Sequence, residues 1–306
     1  YKVTDNILEQ VGGSYAPSLG GNVPSYKNSG KVDNRGFELV LKHNNHFASG
    51  WRYSLTGSLS WARNRVLAKQ ISDNHPMYRA ILGKPMGTLY GYKAIGLYQT
   101  EEQIANSPTA PSGEKRLGDL MYADVNGDGK IDDGDRQYMG NSMPKTTFAL
   151  SAGFSWKNLS FSAMFQGVGG AQAFYAGKSV ILNDNDGNFN RSKEILNAWS
   201  ETNRGSNIPR LSRTDNNGNF TTPSDWYLED ASYLRLKNVT VNYDLTSLVQ
   251  KWMHLKDRGS KVALFFSAEN LFTITNYSGV DPECGGWDAL KYPVSRAYSF
   301  GINLTY

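Results

Sequence analysis

The chain has 306 residues, of which 39% are hydrophobic and 12% aromatic, and its net charge at pH 7 is +4. This small charge, with no basic cluster that alternates with aromatic residues, argues against nucleic-acid binding. The single cysteine, Cys284, excludes an internal disulfide framework and a CxxC metal or redox motif. No apolar run approaches the roughly 20 residues of a transmembrane helix, which excludes a helical membrane protein.

Alternation of apolar and polar residues with a period of two predicts a chain built from β-strands. The odd-numbered residues from Trp51 to Leu55 are apolar and the residues between them are polar. The last residues, Tyr298 to Tyr306, alternate in the same way, with the apolar residues at even numbers. The predicted strands span about residues 1–8, 34–45, 51–63, 146–156, 159–168, 233–245, 261–274 and 296–306.

The apolar face of these strands indicates contact with lipid. Aromatic residues stand near both ends of a strand, as Trp51 and Trp61 do, and the opposite face is mostly Ser, Thr, Gly, Lys, Arg and Gln. This arrangement is typical of an outer-membrane β-barrel, which has aromatic girdles and a polar lumen. Strands of about ten residues are also long enough to cross a bilayer when tilted. A soluble β-sandwich with the apolar face in its core is the alternative, and the pattern favours the barrel.

The connections between strands support the barrel because they alternate in length. Residues 46–50 and 157–158 are short turns, and the joint at 247–260 is predicted to hold a short helix. Short turns at one rim and long loops at the other are typical of bacterial outer-membrane barrels, whereas soluble sandwiches rarely have loops this long. The long joints span about residues 9–33, 67–145, 171–230 and 276–294.

The predicted strand 233–245 breaks the alternation. Leu234 and Leu236 have even numbers, whereas the apolar residues from Val239 onward have odd numbers. A β-bulge near Lys237–Asn238 would restore the register. Alternatively, the two leucines lie above the membrane and pack against the loops, and we favour this second explanation.

The sharpest chemical motif is the twelve-residue segment Asp124–Asp135, which has the spacing of an EF-hand calcium loop. Gly129 stands where the turn is sharpest and Ile131 where an apolar residue anchors the loop. Asp135 replaces the usual bidentate Glu, and the flanks lack long helices. The pattern predicts a Ca²⁺ site, and the alternative is a turn rich in Gly and Asp that binds no metal. We interpret the shorter segment Asp184–Gly187 as such a turn. The predicted donors are the side chains of Asp124, Asn126, Asp128, Asp132 and Asp135 and the backbone carbonyl of Lys130.

The sequence contains no recognisable catalytic arrangement, so the chain is not expected to be an enzyme. None of its histidines lies in an HExxH motif or beside a nucleophile motif. Three tryptophans lie in the predicted outer loops, where each could stack on a sugar ring or pack the loops together, and we favour packing. The histidines are His43, His46, His75 and His254, and the loop tryptophans are Trp199, Trp226 and Trp287.

Four motifs in order give the chain a family resemblance that spans essentially its whole length. It resembles the C-terminal part of the SusC/RagA-type TonB-dependent outer-membrane transporters of Bacteroidetes. The motifs are DVNGDGKID at Asp124–Asp132, LEDASYLRLKNVT at Leu228–Thr240, SAENLFT at Ser267–Thr273 and RAYSFG at Arg296–Gly301.

The resemblance implies an all-β, antiparallel transmembrane β-barrel with long extracellular loops. Residues 1–306 would be the C-terminal part, the last eight strands of a barrel of about 22, with a plug domain and the earlier strands upstream. It implies TonB-driven import of a glycan oligosaccharide or a peptide across the outer membrane, with TonB, a SusD-like surface lipoprotein and outer-membrane lipid as partners. The resemblance assigns no substrate-binding residues. The alternative is a passive or structural eight-stranded outer-membrane barrel that adheres or anchors.

Overall fold

A computed structural model of the chain describes residues 1–11, 25–69, 81–111, 114–183, 190–213, 215, 218–253 and 260–305. Its largest element is one sheet of eight antiparallel strands, in which each strand pairs with the next along the chain. This number of strands and their approximate positions are as predicted. The strands are β1 (Lys2–Val11), β2 (Ser25–His46), β3 (Trp51–Ala68), β4 (Thr146–Trp156), β5 (Leu159–Gly169), β6 (Tyr233–Asp244), β7 (Lys261–Thr275) and β8 (Ala297–Thr305).

Two strands extend further toward the long loops than their alternation predicted. β2 has 22 residues and begins at Ser25, and β3 has 18 residues and ends at Ala68. The expected loop over residues 9–33 is therefore too long at both ends, because residues 9–11 belong to β1 and residues 25–33 belong to β2. The ladder of backbone hydrogen bonds continues where the apolar pattern ends, since it requires no apolar side chains.

The apolar residues share one exposed face of the sheet. Leu39, Leu59 and Phe148 lie side by side across β2, β3 and β4. Along the same stripe Leu55 is 42% exposed and Leu150 is 47% exposed. An apolar face this open is not the core of a sandwich. The sandwich alternative is wrong, and the sheet is part of a barrel wall whose apolar side faces outward.

Aromatic pairs mark both ends of this outward face. Trp51 stacks on Trp156 near the short turns, with ring centroids 4.8 Å apart and planes at 12°. Near the long loops Trp61 stacks on Phe37 at 6.0 Å and 21°. The two levels correspond to the expected girdles at the membrane interfaces.

A β-bulge corrects the register of β6. In the pairing with β5, Leu236 lies opposite Phe165 and Asn238 lies opposite the residue before Phe165, so Lys237 is the extra residue. The insertion of one residue reverses the alternation. Leu234 and Leu236 therefore stay on the outward face. The predicted β-bulge is confirmed. Our preference for the second explanation was wrong, because the bulge accounts for the change in alternation.

The long connections form a second substructure, which we call the loop layer: the described residues of 69–145, 170–232 and 276–296. It holds α1 (Glu101–Asn106), α2 (Lys178–Ile181) and three 3-10 helices, Asp133–Asp135, Lys193–Asn197 and Asp225–Tyr227. Its short strands are Thr88–Gly91, Ala94–Leu97, Leu120–Tyr122, Gln137–Asn141, Gln172–Tyr175, Leu228–Asp230 and Trp287–Asp288. Gln172–Tyr175 pairs antiparallel with Leu228–Asp230 and parallel with Trp287–Asp288, which joins two of the three connections.

The two clusters of buried apolar residues both lie mainly in the loop layer rather than on the sheet. Burying one large apolar side chain stabilises a fold by about 1.5–3 kcal/mol, so both clusters contribute to holding the connections together. One cluster contains Tyr92, Leu97, Leu120, Tyr122, Ile131 and Trp199. The other contains Ala171, Ala173, Tyr175, Ala231, Tyr277 and Cys284.

The opposite rim has two short turns and one longer joint that contains a helix. Residues 47–50 join β2 to β3, with Gly50 at a φ of 87°, and Lys157 turns between β4 and β5 with a φ of 51°. The joint between β6 and β7 contains α3 (Thr246–Trp252), as predicted. Among the described residues, no helix combines the length and the hydropathy needed to cross a membrane.

Candidate functional site

The predicted calcium loop lies in the loop layer, between the short strands Leu120–Tyr122 and Gln137–Asn141. Ile131 is only 5% exposed and packs in the same cluster as Tyr122, so it anchors the loop as expected. Its amide donates to the carbonyl of Thr109 at 2.9 Å. The Asp124–Asp135 segment is therefore fixed at its middle to a neighbouring part of the layer.

The Asp124 carboxylate organises the first half of this loop. Its two oxygens accept the amides of Gly127 at 2.6 Å and Gly129 at 2.8 Å. The two glycines have φ values of 75° and 80°, a conformation that side chains disfavour. Asp128 in turn accepts the Lys130 amide at 2.9 Å. The chain thus wraps around the side chains that were predicted to be ligands.

Asp135 closes the second half of the loop. Its side chain is fully buried, and its oxygens accept the amides of Val125 and Asp132, both at 2.8 Å. Asp132 caps the following 3-10 helix by accepting the amide of Gly134 at 2.7 Å. The shorter aspartate at the last position therefore reaches backbone donors on both sides of the loop.

The six predicted ligand residues lie in this one loop, but the oxygens of the five predicted side chains accept backbone amides. Within the described part of the chain, no group of three or more His, Cys, Asp or Glu side chains is arranged to hold a metal ion. An ionised carboxylate has about four lone-pair sites, so an amide hydrogen bond does not exhaust its capacity as a ligand. Calcium binding remains a prediction.

A buried arginine joins the loop layer to the barrel wall. Arg235 of β6 is 2% exposed and lies on the face opposite Leu236. Its guanidinium donates to Asp281 and to Glu283, both at 2.7 Å, and to the hydroxyl of Thr273 at 2.8 Å. Burial pushes the pKa of Asp281 upward, but the hydrogen bond from Arg235 and backbone amides outweigh it and leave that pKa below its usual value.

A second ionic contact lies within the 170–232 connection, and its carboxylate also binds the 276–296 connection by hydrogen bonds. Lys178 of α2 lies 2.7 Å from Glu229, and the same carboxylate accepts the amide and the hydroxyl of Ser278, both at 2.8 Å. Burial raises the pKa of Glu229, but Lys178 and Ser278 together hold it below its usual value. Neither Arg235 nor Glu229 was singled out for this role from the sequence. The only local signal was a charged residue between two apolar ones in Tyr233–Leu236.

The three loop tryptophans differ in their surroundings. Trp199 is 8% exposed and donates from Nε1 to Gln99 at 3.1 Å, so it packs the layer as we favoured. Trp226 donates from Nε1 to the carbonyl of Asn207 at 2.8 Å. Trp287 is 52% exposed and stacks on Phe174, with centroids 4.6 Å apart and planes at 11°.

The exposed Trp287 belongs to an aromatic platform. Phe174 stacks on Tyr227 on its other side at 5.0 Å, and the three rings border a cavity of about 310 Å³. Phe174 and Tyr227 are buried, so Trp287 supplies the exposed ring of this stack. An exposed indole ring can stack on a sugar ring or receive an apolar side chain.

The remaining residues considered from the sequence lie elsewhere. His43 and His46 are exposed near the short turns, where His43 is within 3.1 Å of the Tyr53 hydroxyl. Cys284 is buried in the loop layer. His75, His254, Asp184–Gly187 and Tyr306 lie outside the described residues.

No family model matches the chain. It is 28% identical over 316 aligned residues to TonB-dependent receptor P3 of Formosa agariphila, which covers 95% of the chain and 30% of that receptor. It is 24% identical to TonB-dependent receptor SusC of Bacteroides thetaiotaomicron, over 100% of the chain and 29% of SusC. The chain thus spans about a third of the length of the curated relatives it matches. These relatives are receptors, in agreement with the expectation that the chain is not an enzyme.

Solved structures agree on the fold. The structure of the RagAB peptide transporter matches 98% of the chain and 32% of its own, with a TM-score of 0.74 and 24% identity. The RagAB peptide importer in the 'closed-closed' state matches 99% of the chain with a TM-score of 0.73. The resemblance that the four motifs indicated is therefore confirmed: over its full length the chain is similar to TonB-dependent receptors, SusC among them, and it has the fold of about a third of a RagAB chain.

Proposed function

We propose that the chain forms part of the β-barrel of a TonB-dependent nutrient importer in a bacterial outer membrane. The complete barrel would be closed and would have about 22 strands. The observation that carries this proposal is the sheet of eight antiparallel strands with an exposed apolar face. Similarity to TonB-dependent receptors over the full chain supports it. Such a barrel binds and moves its cargo without changing a covalent bond.

The loop layer is the proposed extracellular surface of this importer. Its apolar clusters and the contacts of Arg235 and Glu229 hold it in one arrangement above the barrel wall. A fixed surface of this kind suits a SusD-like lipoprotein that closes over the mouth. The cargo is an oligosaccharide or a peptide: the Trp287 platform suits a sugar ring, and the structural neighbours are named peptide transporters.

We also propose that the Asp124–Asp135 loop binds one Ca²⁺ ion. Five acidic or amide side chains lie within these twelve residues. Their spacing along the chain is that of EF-hand loops, whose oxygen ligands bind Ca²⁺ at about 2.3–2.6 Å. Lys130 would contribute its backbone carbonyl. The proposed role is structural, since the loop connects two short strands of the layer.

Uptake by cells tests the proposed function. Deletion of the gene is expected to abolish growth on the imported oligosaccharide or peptide as sole nutrient, and re-expression is expected to restore it. Separate growth tests on oligosaccharides and on peptides identify the class of cargo. Affinity purification of the intact protein from detergent-solubilised membranes is expected to recover a surface lipoprotein encoded beside it.

A passive or structural barrel is the competing function, and energy dependence separates the two. An active importer should stop accumulating cargo when an uncoupler collapses the proton-motive force or when TonB is deleted. Uptake that continues in both cases would support a passive barrel. If deletion of the gene changes adhesion but leaves uptake unchanged, the proposed import function is contradicted.

A further inference from the structure

A strongly basic cavity lies where β1, β2 and β3 meet the loop layer. Its volume is about 590 Å³, and Pro85, Tyr138 and Met143 of the loop layer form one wall. The strands supply most of its charge, and its described lining has six cations and one carboxylate, Asp33. The cations are Lys2, Lys31, Arg35, Arg63, Arg65 and Lys145.

The strand register directs the five strand cations outward, to the same side as the apolar stripe. Phe37 lies opposite Trp61, and the next pair on the same face is Arg35 opposite Arg63. The pair after that is Asp33 opposite Arg65. The Arg63 guanidinium lies 5.9 Å from the Trp61 ring, which agrees with a shared face.

The same residue pairs give the position of these cations along the membrane normal. Successive residues on one face of a strand are about 6.6 Å apart, so the arginines begin one step beyond the aromatic girdle. Aromatic girdles lie at the level of the lipid headgroups. The five strand cations of the cavity therefore lie at the outer edge of the proposed membrane-spanning band, on its lipid side.

Most of the positive charge has no paired carboxylate among the described residues. Asp33 pairs with Arg35 at 2.7 Å and also accepts the Thr4 hydroxyl at 3.0 Å, so this carboxylate is already engaged. The other five cations form no ion pair with another residue that the structure describes. Like charges that line one cavity repel each other, and a bound anion would relieve that repulsion.

We propose that this cavity binds the phosphorylated headgroup of an outer-leaflet lipid. Arginines favour phosphate because the planar guanidinium can donate two parallel hydrogen bonds to it. A free phosphate shares this chemistry, but the outward face and the adjoining Trp61 girdle favour a lipid whose chains run down the apolar stripe. The inference rests on the proposed membrane-embedded function.

The test uses the intact protein in neutral detergent, with lipid binding measured by native mass spectrometry. Phosphatidic acid is compared with a diacylglycerol that has the same chains and no phosphate. The variant Arg63→Gln/Arg65→Gln removes two cavity charges. Lys42→Gln/Arg52→Gln is the matched control, because it removes two cations from β2 and β3 on the opposite face. Lys145→Gln is a second cavity variant outside the strands.

Wild type is expected to bind phosphatidic acid about tenfold more tightly than diacylglycerol, and the double cavity variant to lose about tenfold in affinity. Lys145→Gln should lose part of the preference and the control should keep all of it. Equal binding of the two lipids, or an equal loss in the control, would overturn the proposal. Displacement of the lipid by equimolar inorganic phosphate would also overturn it, leaving only a general anion site. Heat-dependent mobility on a gel tests the barrel separately, so failure of the membrane-embedded function is distinguishable.

Discussion

Arg235 of β6 and Asp281 of the last long connection form a salt bridge of 2.7 Å between Nη2 and Oδ1. The arginine side chain is 2% exposed and the aspartate 15% exposed. The same guanidinium also binds Glu283 and Thr273, so one side chain of the barrel wall holds the 276–296 connection in place.

Replacement of Arg235 by Gln should release this connection. Asp281 and Glu283 would lose their common partner while they remain partly buried, and breaking such a contact costs about 3–5 kcal/mol when both charges are fully buried. The partial exposure of the carboxylates lowers the expected cost to about 2–3 kcal/mol. Hydrogen exchange of amides in residues 276–296 should become correspondingly faster, with the β-strands unchanged.

Arg116→Gln is the matched control, because Arg116 pairs with Glu114 at 2.7 Å and both side chains are more than half exposed. An exposed pair contributes about 0–1 kcal/mol, so exchange should hardly change. Equal exchange rates in the Arg235 variant and wild type would show that the connection is held by other contacts.

Acid should loosen the same region. The pKa values of Asp281 and Glu229 are both lowered in the folded chain, from ordinary values of 3.8 and 4.5. A carboxylate with a lowered pKa contributes stability that is fully present above its unfolded pKa and is lost as the pH falls through its folded pKa. Protection of the loop layer should therefore be constant from pH 7 to about pH 5 and decrease below about pH 4.

Removal of the two cations identifies the groups that titrate. Arg235→Gln should remove the part of the acid response that comes from Asp281, and Lys178→Gln the part that comes from Glu229. An unchanged acid response in both variants would contradict this assignment.

The sheet could be predicted from the sequence because one face of every strand meets the same apolar surroundings. Trp51 to Leu55 and Tyr298 to Leu304 alternate without interruption, and both are strands in the structure. Beyond the aromatic girdle a strand no longer faces lipid, so its outward residues need not be apolar. The first part of β2, from Ser25, therefore shows no apolar alternation. The bulge at Lys237 was ambiguous because two different structures produce the same change of parity.

The contacts of the candidate site could not be predicted in the same way. Arg235 and Asp281 are 46 residues apart, and Glu229 and Ser278 are 49 apart. No local pattern specifies which charged loop residue meets which strand residue. The calcium motif was recognisable because all its donors lie within twelve successive residues, although spacing alone did not reveal that its carboxylates bind backbone amides.

Arginine substitutions on the two faces of the sheet should differ in effect. Leu55→Arg or Leu150→Arg places a charge on the outward apolar stripe, where it costs about 2–4 kcal/mol near the middle of a bilayer. Assembly of the intact protein should fall, as measured by the heat-dependent shift of the folded barrel on a gel.

The controls are Ser58→Arg and Ser151→Arg, which lie on the opposite face of the same strands. A charge there meets a polar lumen, so assembly should stay near the level of wild type. Equal defects in both pairs would mean that the sheet does not separate lipid from a polar interior.

Removal of two carboxylates from the Asp124–Asp135 loop tests the proposed metal. The variant Asp124→Ala/Asp128→Ala lacks two of the five side-chain donors and should lose Ca²⁺ binding in a calorimetric titration of the intact protein. Mg²⁺ should bind wild type poorly, because it requires a smaller octahedral shell and retains its waters.

Asp133→Ala is the matched control for this variant. Asp133 belongs to the same loop but is not among the predicted donors, and its side chain is 64% exposed beside Arg136. The control should therefore bind Ca²⁺ as wild type does, which separates coordination from a general loss of negative charge. Ca²⁺ should also slow exchange of the Gly127 and Gly129 amides in wild type, because coordination of Asp124 fixes the carboxylate that accepts them. Equal Ca²⁺ binding by wild type and the double variant, or no binding by wild type at millimolar Ca²⁺, would mean that hydrogen bonds alone hold this turn.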